Sequence, residues 1–298
     1  MPKGRLTDIV FNTTRSRISI TLMTTDYVYY YPTLYPGVLL RRYKRFFADV
    51  ELASGEVVTA HCPNTGPMTG VCIPGNPVQL SKSDNPKRKL AYTWELIQVH
   101  DNEPTWVGVN TGLPNRIIKL ALEKNLFPEL GKYHQIRGEV VYGQDKKSRV
   151  DFFISATATL EQQSNLLSKQ IDNHPILSQT APQENNTLLL AEHERPIYLE
   201  VKNTTWTQGR LALFPDTETT RGQKHLRELM ALLPQSRAVM LYFINRGDCE
   251  EFAPGDSADP VYGKLLRQAM SLGLEVLPCR FEISPIGIRY LGLAKLKF

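Results

Sequence analysis

Glu200-Val201-Lys202 ends the apolar run Ile197-Tyr198-Leu199, and an acid and a lysine two residues apart on a strand project from one face. Upstream, Asp151 sits inside Ser148-Arg149-Val150-Asp151-Phe152-Phe153-Ile154, where a carboxylate is an awkward guest unless a cation needs it. Two acids and a lysine on neighbouring strands suit a hard divalent cation and a phosphodiester. Asp151 and Glu200 would hold Mg²⁺ or Mn²⁺, with water and phosphate oxygens completing the shell, and Lys202 would orient or deprotonate the attacking water. The plain alternative is an exposed cross-strand ion pair worth tenths of a kcal/mol.

Period two decides whether the acids can meet. It separates Ile197, Leu199 and Val201 from Tyr198, Glu200 and Lys202, and Val150 and Phe152 from Asp151 and Phe153. If the two strands are neighbours, both carboxylates converge on one part of the sheet. Around them the pattern reads helix, three strands, helix, strand, helix, strand. The helices are expected after Gly112, with Pro114 in the first turn and Ile117, Leu120, Ala121 and Leu126 apolar; from Thr219 to Leu233, capped by Thr219 or Thr220 and stopped by Pro234; and from Pro260 to Leu272. The strands are expected at Gln135–Tyr142, Arg149–Ser155, Pro196–Thr204, Ala238–Ile244 and Glu275–Cys279.

Ahead of these lie short strands punctuated by turns: Ala48–Leu52 and Val57–His61 around Ala53-Ser54-Gly55, then Val78–Leu80 and Tyr92–Ile97. Several strands in so short a stretch predict a small β-barrel, the OB-fold being one candidate. Within it Arg42, Tyr43, Lys44 and Arg45 combine cations with an aromatic ring, and Lys87, Arg88 and Lys89 add a second basic cluster, a composition suited to phosphate contacts and base stacking. The alternative for each is a solvated charged face. Asn64 and Thr65 serve as turn chemistry or as part of a site. On the helix after Thr219, Arg221, His225 and Glu228 share a polar stripe, and His225 is of interest only because it follows the Glu200 strand.

With 298 residues, two domains are expected. Residues 1–36 form a poorly patterned leader with a tyrosine-rich end, 37–105 the barrel and 106–298 the second domain. Residues 159–194, rich in Gln, Asn, Ser and Thr, read as a flexible surface insertion. Met23 could be the natural start, or the leader could be a loosely docked arm. The net charge of +5 permits a polyanionic partner without demanding one. No apolar stretch reaches the roughly 20 residues of a membrane span, and the basic, polar start lacks a secretory apolar core, so a cytoplasmic protein without a membrane partner is expected. Cys62, Cys72, Cys249 and Cys279 are scattered and read as reduced structural thiols.

Several stretches, in order through most of residues 38–290, resemble the prokaryotic sugar fermentation stimulation protein family, SfsA. They include Arg42-Tyr43-Lys44-Arg45-Phe46, His61-Cys62-Pro63-Asn64-Thr65-Gly66, Ser148-Arg149-Val150-Asp151-Phe152, Glu200-Val201-Lys202-Asn203, Phe214-Pro215-Asp216, and Thr220-Arg221-Gly222-Gln223-Lys224-His225-Leu226-Arg227-Glu228-Leu229. The resemblance implies an α+β protein with an N-terminal OB-like barrel followed by a PD-(D/E)XK restriction-endonuclease-like α/β domain. It implies DNA binding, with the family's acidic positions on Asp151 and Glu200 and its lysine on Lys202. Members are regarded as DNA-binding regulators of sugar utilisation, especially of maltose genes, and as candidate DNA or RNA nucleases. Between those roles the fold does not choose, and a module for a small phosphorylated ligand stays open as a third. The leader and the long connection at 159–194 depart from the compact family pattern.

Overall fold

The computed structural model describes residues 27–142, 148–156, 195–233 and 235–298. Strand β1 (Tyr29–Tyr30) lies in the leader, and six strands follow it: β2 (Leu34–Tyr43), β3 (Phe47–Leu52), β4 (Val57–His61), β5 (Pro77–Lys82), β6 (Tyr92–Val99) and β7 (Thr105–Gly108). The six form one sheet in the order β4-β3-β2-β5-β6-β7. Parallel pairing of β4 with β6, Ala60 opposite Tyr92, closes it into a barrel. Closure covers the β4 edge, and β7 remains at the end of the sheet against the second domain. Alternating side chains fill the interior, among them Leu39, Val50, Ala60, Val78, Leu80 and Trp94. Gly55, at φ +83°, makes the β3–β4 turn that the sequence predicts. The barrel's last strand, β7, runs to Gly108, beyond residue 105 where the sequence reading ends the barrel.

Helix α1 (Leu113–Glu123) opens the second domain, and Leu126 falls beyond its end. A seven-stranded sheet is ordered β1-β16-β15-β13-β10-β9-β8, with β8 (Gln135–Tyr142), β9 (Ser148–Ser155), β10 (Ile197–Thr204), β13 (Arg237–Ile244), β15 (Glu275–Ile283) and β16 (Gly287–Leu293). Strands β10, β13 and β15 are mutually parallel, and β9 and β8 add antiparallel at one side. Helix α1 covers one face, burying Ile117, Ile118, Ala121 and Leu122 against Leu199, Val201, Leu241 and Phe243. The other face carries α2 (Thr220–Met230) and α3 (Pro260–Ser271), through Leu226, Leu229, Leu266 and Ala269 against Met240 and Tyr242. β13, covered on both faces, therefore reads as an unbroken apolar run.

The sequence pattern misses a four-stranded sheet of β11 (Thr207–Gln208), β12 (Leu211–Phe214), β14 (Glu251–Pro254) and β17 (Lys295–Leu296), because strands of two to four residues carry too few positions to show a period. The leader also needs correcting at its end. Tyr29 pairs with Ile288 and Val28 is buried in the domain core, so the tyrosine-rich stretch is a sheet edge. The expected insertion at 159–194, the helix stop at Pro234 and the leader before residue 27 lie outside the described residues.

The two domains meet along a tight seam. Gly108 N–H donates to the Asn245 carbonyl at 3.0 Å, and Asn245 Nδ2 donates to the Gly108 carbonyl at 3.1 Å. A Cβ on Gly108 would stand 2.1 Å from Asn245 Oδ1, so only glycine fits there. Beside it Arg246, 1% exposed, donates to both carboxylate oxygens of Asp248 at 2.7 Å, to the Thr205 carbonyl at 3.2 Å and across the seam to Asp101 at 2.7 Å.

Candidate active site

Strands β9 and β10 pair antiparallel from Ile154 opposite Ile197 to Phe152 opposite Leu199, where the ladder ends. One residue on, Asp151 and Glu200 face each other across the gap. The Asp151 carboxylate takes over the missing strand's role: its Oδ2 accepts the Val201 backbone N–H at 2.7 Å. Its Oδ1 accepts from Asn115 Nδ2 at 2.7 Å, which ties the site to α1. Burial, and after it the nearby Glu200 charge, pushes the Asp151 pKa up to about 6, against the two hydrogen bonds and Lys202, which favour the charged form.

Glu200 points to the α2 face, as the alternation predicts. It is 4% exposed. Its Oε1 accepts from Lys202 Nζ at 2.7 Å and is hydrogen-bonded to His225 Nδ1 of α2. Lys202 Nζ also lies 3.3 Å from His225 Nδ1, and Arg221 Nε donates to His225 Nε2 at 3.4 Å. Burial works to raise the Glu200 pKa, but the His225 hydrogen bond and the Lys202 charge outweigh it and hold the carboxyl below its usual range. The second oxygen, Oε2, is buried without a hydrogen-bond partner among the described residues. The two carboxyls, one pushed up and one held down, have unequal proton affinities, the pattern by which one pocket divides acid and base roles.

Helix α2 is aimed by its start. Thr219 caps it, accepting the Gly222 N–H at 3.1 Å, and Asp259, the cap of α3, accepts from Thr219 N at 2.9 Å and from Gln223 Nε2 at 3.1 Å. Those bonds lock the two helices together and turn His225, a secondary candidate on a polar stripe in the sequence, inward. Asn115 is missed altogether by sequence reasoning; only its place near the start of the helix after Thr111-Gly112 could have drawn notice. Neither of the two larger concavities, about 640 Å³ beside Pro128, Arg195 and Glu275 and about 290 Å³ on the seam, is lined by any of these residues.

The basic positions of the barrel are arranged differently. Lys44 and Arg45 form the exposed β2–β3 turn with φ +49° and +64°, next to Phe46, which is 48% exposed. Arg42 turns inward, its guanidinium donating to the carbonyls of Asn64 at 2.8 Å and Gly66 at 2.9 Å. Tyr43 stacks on Phe47 with Arg41 over its ring. Asn64 shapes its own turn by accepting the Gly66 N–H at 2.9 Å, and Thr65 is exposed. Lys87, Arg88 and Lys89 are exposed on the β5–β6 connection, with Arg88 donating to Thr93 at 2.7 Å.

Known proteins match this architecture along most of its length. The description "Sugar fermentation stimulation protein RE domain" matches residues 112–173 and 180–287, and "SfsA N-terminal OB domain" matches 40–109. The chain belongs to the sugar fermentation stimulation protein family. A homolog from Trichormus variabilis is 70% identical over 271 residues, covering 91% of this chain and 98% of its own. One from Synechococcus elongatus is 60% identical over 270 residues, with 91% and 98% covered. Among solved structures, Pyrococcus furiosus SfsA in complex with Ca²⁺ superposes with a TM-score of 0.71 at 23% identity, covering 92% of this chain and all of that one. The SfsA fold, an OB barrel joined to a mixed α/β domain, is therefore common to both. Among the described residues no helix is long and apolar enough to cross a membrane, and the four cysteines are free.

Proposed function

We propose that this SfsA protein binds nucleic acid, DNA first and RNA as the other polymer the chemistry admits, and cuts its phosphodiester bonds in a PD-(D/E)XK-like site. Asp151 and Glu200 would hold a divalent cation, Mg²⁺ or Mn²⁺, and Lys202 would act on the attacking water. The observation that carries this reading is the meeting of two carboxylates from adjacent strands with Glu200 Oε2 buried and unmatched. An unmet buried oxygen costs about 1–3 kcal/mol, and a cation would recover that cost.

The donors fit such a group. Carboxylate oxygens are hard ligands, and Mg²⁺ is commonly held by one or two carboxylates with waters and phosphate oxygens making up the rest. Among the described residues no group of three or more His, Cys, Asp and Glu side chains forms a complete cage. The Pyrococcus furiosus protein is described as a complex with Ca²⁺, another oxygen-seeking cation, which supports reading the acid pair as a cation site. Bound there, the cation would neutralise charge on the phosphoryl group and acidify a water. The chain's own residues do the rest. Asn115 and the Val201 N–H orient Asp151, His225 orients Glu200, and Lys202 offers its ammonium to the water or to charge developing on phosphate oxygen. Lys44, Arg45, Lys87, Arg88 and Lys89 would meet the backbone phosphates from the barrel, whereas Arg42 is assigned to shaping the Asn64–Gly66 turn.

One observation favours the second reading, a non-catalytic DNA-binding regulator of sugar utilisation genes such as those for maltose. Lys202 already pairs with the Glu200 carboxylate and His225 hydrogen-bonds to it, so that charge has partners within the protein. Incubation with labelled single-stranded DNA, duplex DNA and RNA in Mg²⁺, Mn²⁺ or EDTA separates the two. Metal-dependent cleavage lost in Glu200→Ala and Lys202→Ala, with affinity nearly intact, is the expected result; binding without cleavage, indifferent to both substitutions, would overturn the nuclease.

A further inference from the structure

Strand β10 does not stop at Lys202. Thr204, two residues on, shares the face of Glu200 and Lys202. It is 1% exposed, and its Oγ1 has no hydrogen-bond partner among the described residues. A buried hydroxyl left unmet is costly unless something comes to meet it. Thr204 lines a cleft of about 120 Å³ on the seam, walled by Asn64 and Thr111 from the barrel side and by Asn203, Trp206 and Asp216 from the other.

The walls define what fits. None of the described lining residues is cationic and Asp216 brings a carboxylate, so the cleft lacks the charge to hold a phosphate. Instead it offers neutral edges and one acid. Asn203 Oδ1 is occupied by Asn245 Nδ2 at 3.0 Å and Asn64 Oδ1 by the Gly66 N–H at 2.9 Å, which leaves each amide's NH₂ as a donor. Asp216, partly buried, adds a carboxylate, and burial raises its pKa. Trp206 adds a flat ring whose edge is fixed against Gly255, where a Cβ would stand 2.8 Å from its Cζ3. The same indole borders the second seam cleft, so it stands between two openings. Donors, a hydroxyl, a carboxylate and an aromatic face match the edge and the face of a heterocyclic base. The volume is far below the roughly 300–1,000 Å³ of drug-sized sites and suits a single ring.

We propose that this cleft is a subsite for one unpaired nucleobase of the bound strand, adjoining the phosphodiester at Asp151, Glu200 and Lys202. Its position next to the phosphate rests on the nuclease reading; its chemistry does not. Thr204 lies about 7 Å from Lys202 along the strand, a spacing of about two stacked base steps. Nucleic acid entering it must be single-stranded or locally opened there.

The test is equilibrium binding of fluorescent oligothymidylate in EDTA, with one abasic position walked along the strand, to the wild-type protein, Thr204→Val and Trp206→Ala. One abasic position is expected to weaken wild-type binding about tenfold, a loss typical of one stacked base. Both variants should bind the intact oligonucleotide less tightly and lose that positional penalty. Thr204→Val removes only an unmet hydroxyl at nearly constant shape, so the free protein's Tm should not fall. No penalty at any position, an equal penalty in all three proteins, no binding of the single strand, or competition by maltose but not by thymidine would each overturn the subsite. Because these assays need no cleavage, a positional penalty from a protein that cuts nothing in Mg²⁺ would sink the nuclease and keep the subsite, and cleavage with a flat map would do the reverse.

Discussion

The barrel and the second domain use charge in opposite ways. In the barrel the cations proposed for phosphate contact, Lys44, Arg45, Lys87, Arg88 and Lys89, stand on exposed turns, with Arg88 bonded to Thr93. Arg41 and Asp49 pair at 2.8 Å with the arginine side chain 69% exposed, where solvent screens most of the attraction. In the second domain Asp151, Glu200, Lys202 and His225 are buried or half-buried, the last three bonded to one another and Asp151 held by Asn115 of α1 and the Val201 N–H. Exposed charge gives adaptable, salt-sensitive attraction; buried charge gives fixed geometry and shifted proton affinities. The proposed activity, gripping a polymer and doing chemistry at one point, would need both.

Catalysis tests that contrast most severely. Lys202→Ala is expected to lower cleavage about 10²- to 10⁴-fold in Mg²⁺, while Lys44→Ala mainly weakens binding; single-turnover rates at saturating protein separate the two. Equal losses in single-turnover rate would break the comparison. Stability comes next. Arg246→Ala leaves Asp248 unpaired at a buried position and deprives the exposed Asp101 of its partner across the seam, and should cost about 3–5 kcal/mol in urea unfolding, whereas Arg41→Ala should barely move the midpoint.

A pH effect follows from Asp151. Its folded pKa of about 6 exceeds the unfolded value of about 3.9. Between those values the native state binds more protons than the unfolded chain, so the Asp151 contribution to stability is present at low pH and is lost as pH rises toward 6. In metal-free buffer the difference in Tm between wild type and Asp151→Asn should shift across pH 4 to 6 and level off above. Asn115→Ala, which removes a hydrogen bond to the charged form, should move the upper limit of that window higher. The smallest effect belongs to the barrel: Lys87→Ala and Lys89→Ala should each reduce the slope of log K against log salt for duplex DNA by about 0.9.

The strand that carries Glu200 and Lys202 was legible because it obeys a local rule. Alternation alone assigns Glu200 and Lys202 to one face and Val201 to the other, and the structure buries Val201 against α1 while Glu200 meets α2. Four barrel strands, β3 to β6, were legible in a similar way, from short apolar runs set between turn residues, whereas β2 and β7 were not read as strands. What the sequence conceals is whatever depends on partners far along the chain. His225 lies on a stripe with Arg221 and Glu228 that looks solvated, until the α2–α3 lock through Asp259 turns it inward. Asn115 reaches Asp151 across 36 positions and leaves no periodic mark. Arg246 follows the apolar strand β13, where an arginine reads as its surface end, yet it is among the most buried side chains. In β1 two tyrosines find their partner strand near the other end of the chain.

The seam has a consequence for how such a protein can be inherited or rebuilt. Gly108 and Asp101 are halves of contacts whose other halves are Asn245 and Arg246. A chimera joining this barrel to a foreign second domain would carry a keyhole without its key: a bare glycine, an unanswered carboxylate, and a cleft missing one wall. The two modules form one cassette, and recombination between them is expected to yield functional protein only when these four positions cross together.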